Sequence, residues 1–86
     1  MDKIVQLRKK LDVIDDQILG ALGERAKICR EIGCLKKDKG LQVKDAKRES
    51  QVYQRVKARA VEFGLDSQQL EAVYREIVNM CSAVQE

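Results

Sequence analysis

Proline, histidine and tryptophan are absent from this chain, and aromatic residues make up only 3% of it. Each absence excludes something. An all-β sandwich or barrel draws its turns from Pro and Gly and its strands from aromatic and β-branched residues, so a chain without proline and nearly without aromatics argues against one. Without histidine there is no imidazole to bind a metal or act as general base, and both would have to come from elsewhere. No apolar run approaches the ~20 residues that a membrane span needs. The start is charged at Asp2 and Lys3, unlike a secretory signal, and a cytoplasmic protein is expected. The three cysteines, Cys29, Cys34 and Cys81, are odd in number and lack CxxC spacing. That pattern favours free thiols in a reducing compartment over a disulfide framework or a structural zinc site.

What remains is a short chain rich in helix formers. Its 86 residues suit one domain, with 44% hydrophobic and 36% charged residues in the balance of amphipathic, soluble elements. Leu, Ile, Val, Ala, Lys, Arg, Glu and Gln dominate, and an all-α fold is expected. Seventeen basic residues against fourteen acidic ones leave a net charge of +3. That is a mild excess, not the dense basic stripe of a nucleic-acid binder.

The apolar positions Ile4, Leu7, Leu11, Ile14, Ile18, Ala21, Ile28, Ile32 and Leu35 follow an alternating spacing of three and four, with Arg25 in the same series. One long helix is predicted over 2–39, with Asp2 able to cap its start and Gly40 suited to its end. Gly20, Gly23 and Gly33 each weaken a helix by up to ~1 kcal/mol relative to Ala, and a break near Gly20–Gly23 is the alternative. Uninterrupted, the helix is about 55 Å long at 1.5 Å per residue. A compact globule of this size is roughly 30 Å across. Either the helix kinks or another chain buries part of its apolar stripe, and the pattern favours an intertwined oligomer. A second helix is predicted over 46–63, with Asp45 as N-cap, Gly64 as terminator and a stripe of Glu49, Val52, Val56, Ala60 and Phe63. A third is predicted over 67–85, with Asp66 and Gln69 as a capping box and a stripe of Leu70, Val73, Ile77, Met80 or Cys81, and Val84.

The residues that interrupt these stripes carry the functional signal. Arg25 sits on the heptad seam. It is either a snorkelling or ion-paired arginine, with Glu24 or Asp45 as partner, or the holder of an anionic ligand. Lys36 lies eleven residues on and faces nearly the same way. Cys29 and Gly33 lie between them, and the missing side chain at Gly33 leaves room for a small molecule against the backbone. Glu49, beside Arg48, is either an acid favoured by the helix N-terminus or a group aimed into a pocket. Tyr74, Val78, Cys81 and Gln85 share one face of the third helix. Gln85 is there either a frayed polar end or an amide donor to the same pocket.

Read in order, Leu7-Arg8-Lys9-Lys10-Leu11-Asp12 with Asp15, then Glu24-Arg25, Gly33 with Lys36, Asp45 with Arg48-Glu49, Leu65-Asp66 and Gln85 resemble the all-helical chorismate mutases of the AroQ class. The resemblance covers the whole chain and implies a single domain over 1–86. It implies a three-helix chain in an intertwined homodimer that rearranges chorismate to prephenate, on the route to phenylalanine and tyrosine. The rearrangement is pericyclic, so neither metal nor cofactor is expected. By position, Arg25 is expected on one substrate carboxylate and Arg8, arriving from the partner chain, on the other. Lys36 is expected on a carboxylate and the ether oxygen, and Gln85 on that oxygen from the other side. Asp45 and Glu49 are expected on the ring hydroxyl, with Arg48 shaping that corner through its backbone. Cys81 stands where many relatives present a serine hydroxyl, and its thiol is a weaker donor. Two other readings share the pattern in part. One is an isochorismate-pyruvate lyase of the same fold, which Glu49 disfavours. The other is a non-catalytic helical dimerisation or regulatory module, which leaves Arg25, Lys36 and Glu49 unexplained.

Overall fold

The heptad stripe of the first segment forms one unbroken helix, α1, over Asp2–Asp38, in the computed structural model, which describes residues 2–86. Gly20 and Gly23 do not interrupt it, and a Cβ at either position would meet nothing within 4 Å. The helix ends where Gly40 takes a left-handed φ of 68°, which lets the Leu41 N–H donate back to the Lys36 carbonyl at 2.8 Å. Only glycine adopts that backbone without strain from a Cβ.

A loop leads to α2, Ala46–Ala60, whose N-cap Asp45 accepts a hydrogen bond from the Arg48 N–H at 3.0 Å. The segment predicted as the last turn of this helix tightens into a 3₁₀ turn over Val61–Phe63 and closes at Gly64, again at φ 68°. Phe63, placed by its spacing on the apolar stripe, is 64% exposed instead and lies beneath the Arg59 guanidinium, 5.2 Å from its ring centroid. The tightened turn rotates it off the buried face. Helix α3 spans Ser67–Gln85, and its N-cap Asp66 accepts from the Gln69 N–H at 2.9 Å.

Helices α2 and α3 form an antiparallel hairpin, joined near its middle by Glu71. This carboxylate takes the Lys57 ammonium of α2 at 2.9 Å and the Arg75 guanidinium of its own helix at 2.6 Å. Hydrogen bonds from Lys57 and Arg75 hold the Glu71 carboxyl below the ordinary carboxylate range. Arg75 also stacks over Tyr53 of α2, 4.5 Å from its centroid. Helix α3 then runs parallel to the second half of α1, with Cys81 opposite Cys29 and Gln85 opposite Gly33. Its buried side is Val78 and Gln85, flanked by half-buried Tyr74, Ile77 and Cys81. Val73 and Met80, expected on that stripe, are more than half exposed. The most deeply buried part of the α1 contact therefore lies on the face through Val78, Cys81 and Gln85, with Ile77 and Val84 at its edge.

Cys29 and Cys81 are joined as a disulfide, with Cα atoms 5.5 Å apart. This corrects the expectation of three free thiols; Cys34 alone is free, and exposed. The pair spans 52 residues, so no local spacing announces it, and the odd count arises because Cys34 has no partner. Closing a loop of this length stabilises the fold by about 4 kcal/mol in the chain-entropy model. The hydrophobic core itself is thin: among the described residues it consists of Cys29, Ala60 and Val78, with no large side chain fully buried.

The first half of α1 has no covering at all. Every residue from Asp2 to Ala21 is exposed, including Ile4, Leu7, Leu11, Ile14 and Ile18. The chain measures 56 × 24 × 15 Å, and its radius of gyration is 16.2 Å. A compact chain of this length would have a radius of ~12 Å. Among the described residues no helix is long and apolar enough to cross a membrane.

Candidate functional site

A cavity of about 270 Å³ opens where the second half of α1, the start of α2 and the end of α3 converge. Helix α1 contributes Arg25 and Lys36, the loop and α2 contribute Asp45, Arg48 and Glu49, and α3 contributes Cys81 and Gln85. Seven of the eight residues singled out in the sequence thus share one space. Arg8 does not. It is exposed on the uncovered half of α1, about 25 Å along the rod from Arg25.

The cationic wall is the most informative feature. Arg25 and Lys36 are both half-buried, and among the described residues neither has a carboxylate within 4.0 Å. The ion pair of Arg25 with Glu24 or Asp45 is therefore not formed. Its guanidinium donates to the Cys29 sulfur, at 3.9 Å. Half-buried cations without an internal counterion favour an anion in the space between them.

Lys36 is held in place by two acceptors. Its ammonium donates to the Val43 carbonyl at 2.7 Å and to Gln85 Oε1 at 2.8 Å. An ammonium has three protons, so one donor remains for the cavity. Lysine also has no acceptor, which fixes how the Gln85 amide is turned: Oε1 faces Lys36, and Nε2 is left on the other side. That nitrogen donates to the Cys81 sulfur at 3.2 Å and keeps a second N–H.

Gln85 is 7% exposed, so it is not a frayed end. Its depth is made possible by Gly33. A Cβ built on Gly33 would lie 2.8 Å from the Gln85 Cα, closer than real side chains come. The space at Gly33 is thus filled by the α3 backbone, not left open for a small molecule.

The opposite corner is acidic. Asp45 spends one oxygen on the α2 cap, which leaves its second carboxylate oxygen unassigned. Glu49 is half-buried beside it, with the exposed Lys44 ammonium at 3.5 Å. Cations thus line one side of the cavity and carboxylates the other. Among the described residues no group of His, Cys, Asp and Glu is arranged to hold a metal ion.

The Val43 carbonyl and Ser82 also line the cavity but were not singled out in the sequence, and Cys29 was placed between Arg25 and Lys36 without a role. A backbone carbonyl carries no residue-type signal. Cys29 had one, its position one turn after Arg25.

Residues 7–86 match the family model for chorismate mutase type II. The chain belongs to the chorismate mutase type II family. A bifunctional chorismate mutase/prephenate dehydratase from Aquifex aeolicus is 33% identical over 99% of this chain and 24% of its own length. A chorismate mutase from Methanocaldococcus jannaschii is 30% identical over 77% of this chain and 67% of its own. A solved structure of a conserved hypothetical protein from Pyrococcus furiosus superposes with a TM-score of 0.77 at 32% identity, covering 100% of this chain and 99% of that one. The chain thus spans about a quarter of the bifunctional relative, and its all-α, three-helix architecture is that of the chorismate mutase type II family.

Proposed function

We propose that this chain rearranges chorismate to prephenate, and that it does so as a homodimer. The observation that carries the reading is the pair of half-buried cations, Arg25 and Lys36, sharing one cavity with no internal carboxylate for either. Family membership names the dianion that suits them.

The reaction is a Claisen rearrangement: the ether C–O bond breaks as a C–C bond forms, within one molecule. It needs no nucleophile and no proton transfer. The protein has two tasks. It must hold a flexible dianion with its reacting carbons close together, and it must stabilise negative charge growing on the ether oxygen. Arg25 binds one carboxylate through its fork of donors. The free proton of Lys36 serves the ether oxygen and an adjacent carboxylate, and the free Nε2 proton of Gln85 serves that oxygen from α3. Both donors are fixed before substrate arrives, Lys36 by Val43 and Gln85 by Lys36. Asp45 and Glu49 receive the ring hydroxyl, and Arg48 holds the corner through its capping N–H.

The carboxylate beside Lys36 has no arginine within this chain, and Lys36 keeps only one proton to share between it and the ether oxygen. Arg8 of the partner subunit supplies that arginine if two α1 helices pair along their exposed stripes in opposite directions. The bare apolar half of α1 supports such pairing, since monomers rarely leave so long a stripe uncovered.

The test is purified chain with chorismate, following loss of its diene absorbance and identifying the product. Prephenate, formed equally after exhaustive EDTA treatment and dialysis, is expected. Turnover of isochorismate to pyruvate in its place would assign the lyase reaction, and no turnover of either would leave a binding module.

A further inference from the structure

The Cys29–Cys81 disulfide lies in the wall of the candidate site, between Arg25 and Gln85. We propose that this pair is a thiol–disulfide exchange site for small anionic thiols, and that its redox state sets how tightly the cavity holds a dicarboxylate. The second clause rests on the dianion-binding reading above.

Three features of the surroundings suit exchange. Both cysteines line the cavity, but Cys81 is half-buried whereas Cys29 is only 4% exposed, so an incoming thiolate reaches Cys81 first. The cavity carries Arg25 and Lys36, which draw in an anion. The Arg25 guanidinium stands 3.9 Å from the Cys29 sulfur, where a cation favours a departing thiolate.

The exchange is balanced as follows. A thiolate RS⁻ attacks the Cys81 sulfur, the S–S bond breaks, and its electron pair leaves on Cys29, which takes up a proton. A second RS⁻ attacks the R-bearing sulfur of the mixed disulfide. That bond breaks with its electrons on Cys81, which is protonated in turn. Two RSH are oxidised to RSSR and the protein gains two thiols; RSSR drives the reverse reaction.

The consequence for the site follows from donor count. In the disulfide the Cys81 sulfur has no proton and only accepts, as it does from Gln85 Nε2 at 3.2 Å. Facing a carboxylate, it offers a lone pair. Reduced, it gains an S–H, a weak donor, pointing into a space built for carboxylates. Reduction therefore tightens dianion binding about tenfold, the low end for a hydrogen bond to a charged group. By linkage, a saturating dianion shifts the thiol–disulfide equilibrium toward the dithiol by the same factor.

The experiment equilibrates the protein with glutathione or its disulfide, then counts thiols by alkylation and mass. The count is made on Cys34→Ala, since the exposed Cys34 thiol would itself exchange with glutathione disulfide; no thiol is expected after oxidation and two after reduction. KM for chorismate, and the Kd of a bicyclic ether dicarboxylate shaped like the rearrangement's transition state, should each be about tenfold lower for the reduced protein. Cys34→Ala should keep the response. Cys29→Ala, or Cys29→Val should the alanine variant melt early, should lose it. A thiol count that does not change, or equal Kd in both forms alongside normal turnover, overturns the exchange site. No turnover in either form, with the dicarboxylate still bound tenfold tighter by the reduced protein, overturns the mutase reading and supports the exchange site.

Discussion

Lys36 and Gln85 form a pair in which each is set by the other, and the chemistry proposed for them makes distinct demands on turnover and on folding. Lys36→Ala should lower kcat by ~10²–10³-fold, the cost of removing one preorganised donor to a developing oxyanion. Its melting temperature should fall as well, because the Val43 carbonyl and the buried Gln85 amide oxygen lose their donor. Gln85→Ala should also lower kcat, and less severely. Steady-state kinetics with thermal denaturation of the same samples checks both, and near-normal turnover of Lys36→Ala would remove it from the mechanism. Gly33 acts on the same pair without touching substrate. A methyl group there meets the Gln85 backbone at 2.8 Å, so α3 must shift and carry the amide with it. Gly33→Ala should lose about 10²-fold in kcat, the scale for a ~1 Å misplacement. The better helix propensity of Ala offsets part of the overpacking in the folded state. Stability loss without loss of kcat would refute this positioning role.

Helix caps give a separation between structure and function. Asp45 and Asp66 each accept one N–H from the first turn of their helix, at 3.0 and 2.9 Å. Only Asp45 lies in the candidate site. Both Asp45→Ala and Asp66→Ala should cost about 1 kcal/mol in denaturant unfolding. Asp45→Ala alone should raise KM, because it also loses a hydroxyl acceptor. Equal kinetics in the two variants would confine Asp45 to capping. The α2–α3 hairpin also depends on Glu71, which pairs with Lys57 of α2, while its own-helix partner Arg75 stacks over Tyr53 of α2.

For the whole molecule the proposal to test is that a partner chain brings its Arg8 to the site that holds Arg25. Arg8 and Arg25 lie about 25 Å apart on one straight helix and cannot grip one small dianion together. Arg8→Ala and Arg25→Ala homodimers should each be nearly inactive. Unfolded together and refolded as an equal mixture, about half of the dimers pair one chain of each kind. In such a dimer one site carries both lesions and the other carries neither. Recovery of about one quarter of wild-type activity is therefore expected from random two-fold pairing. The unfolding step must leave the Cys29–Cys81 pair oxidised or allow it to re-form, which the thiol count verifies. No recovery, with mixed dimers confirmed by mass, rejects a site shared between chains.

The helices were legible because their signals are local. The alternation of three and four from Ile4 to Leu35, the caps Asp45 and Asp66, and the terminators Gly40 and Gly64 each act within a turn or two of the chain. Arg25, Lys36 and Glu49 stood out for the same reason, as charges on apolar stripes. The meaning of Gly33, Cys29 and Cys81 was not legible, because each depends on which face of α3 meets α1. The sequence offered two faces of α3, an apolar stripe with Met80 or Cys81 and a second through Tyr74, Val78, Cys81 and Gln85, and packing buries the second most deeply at Val78 and Gln85. That choice sets Cys29 against Cys81 and Gly33 against Gln85, a separation of 52 residues that no short-range pattern encodes. It also decides that Lys36 is held by Val43 and Gln85 rather than by an acid. Secondary structure follows from periodicity and capping along the chain. The pairing of distant side chains follows from close packing between helices, where one missing Cβ fixes how near two backbones come.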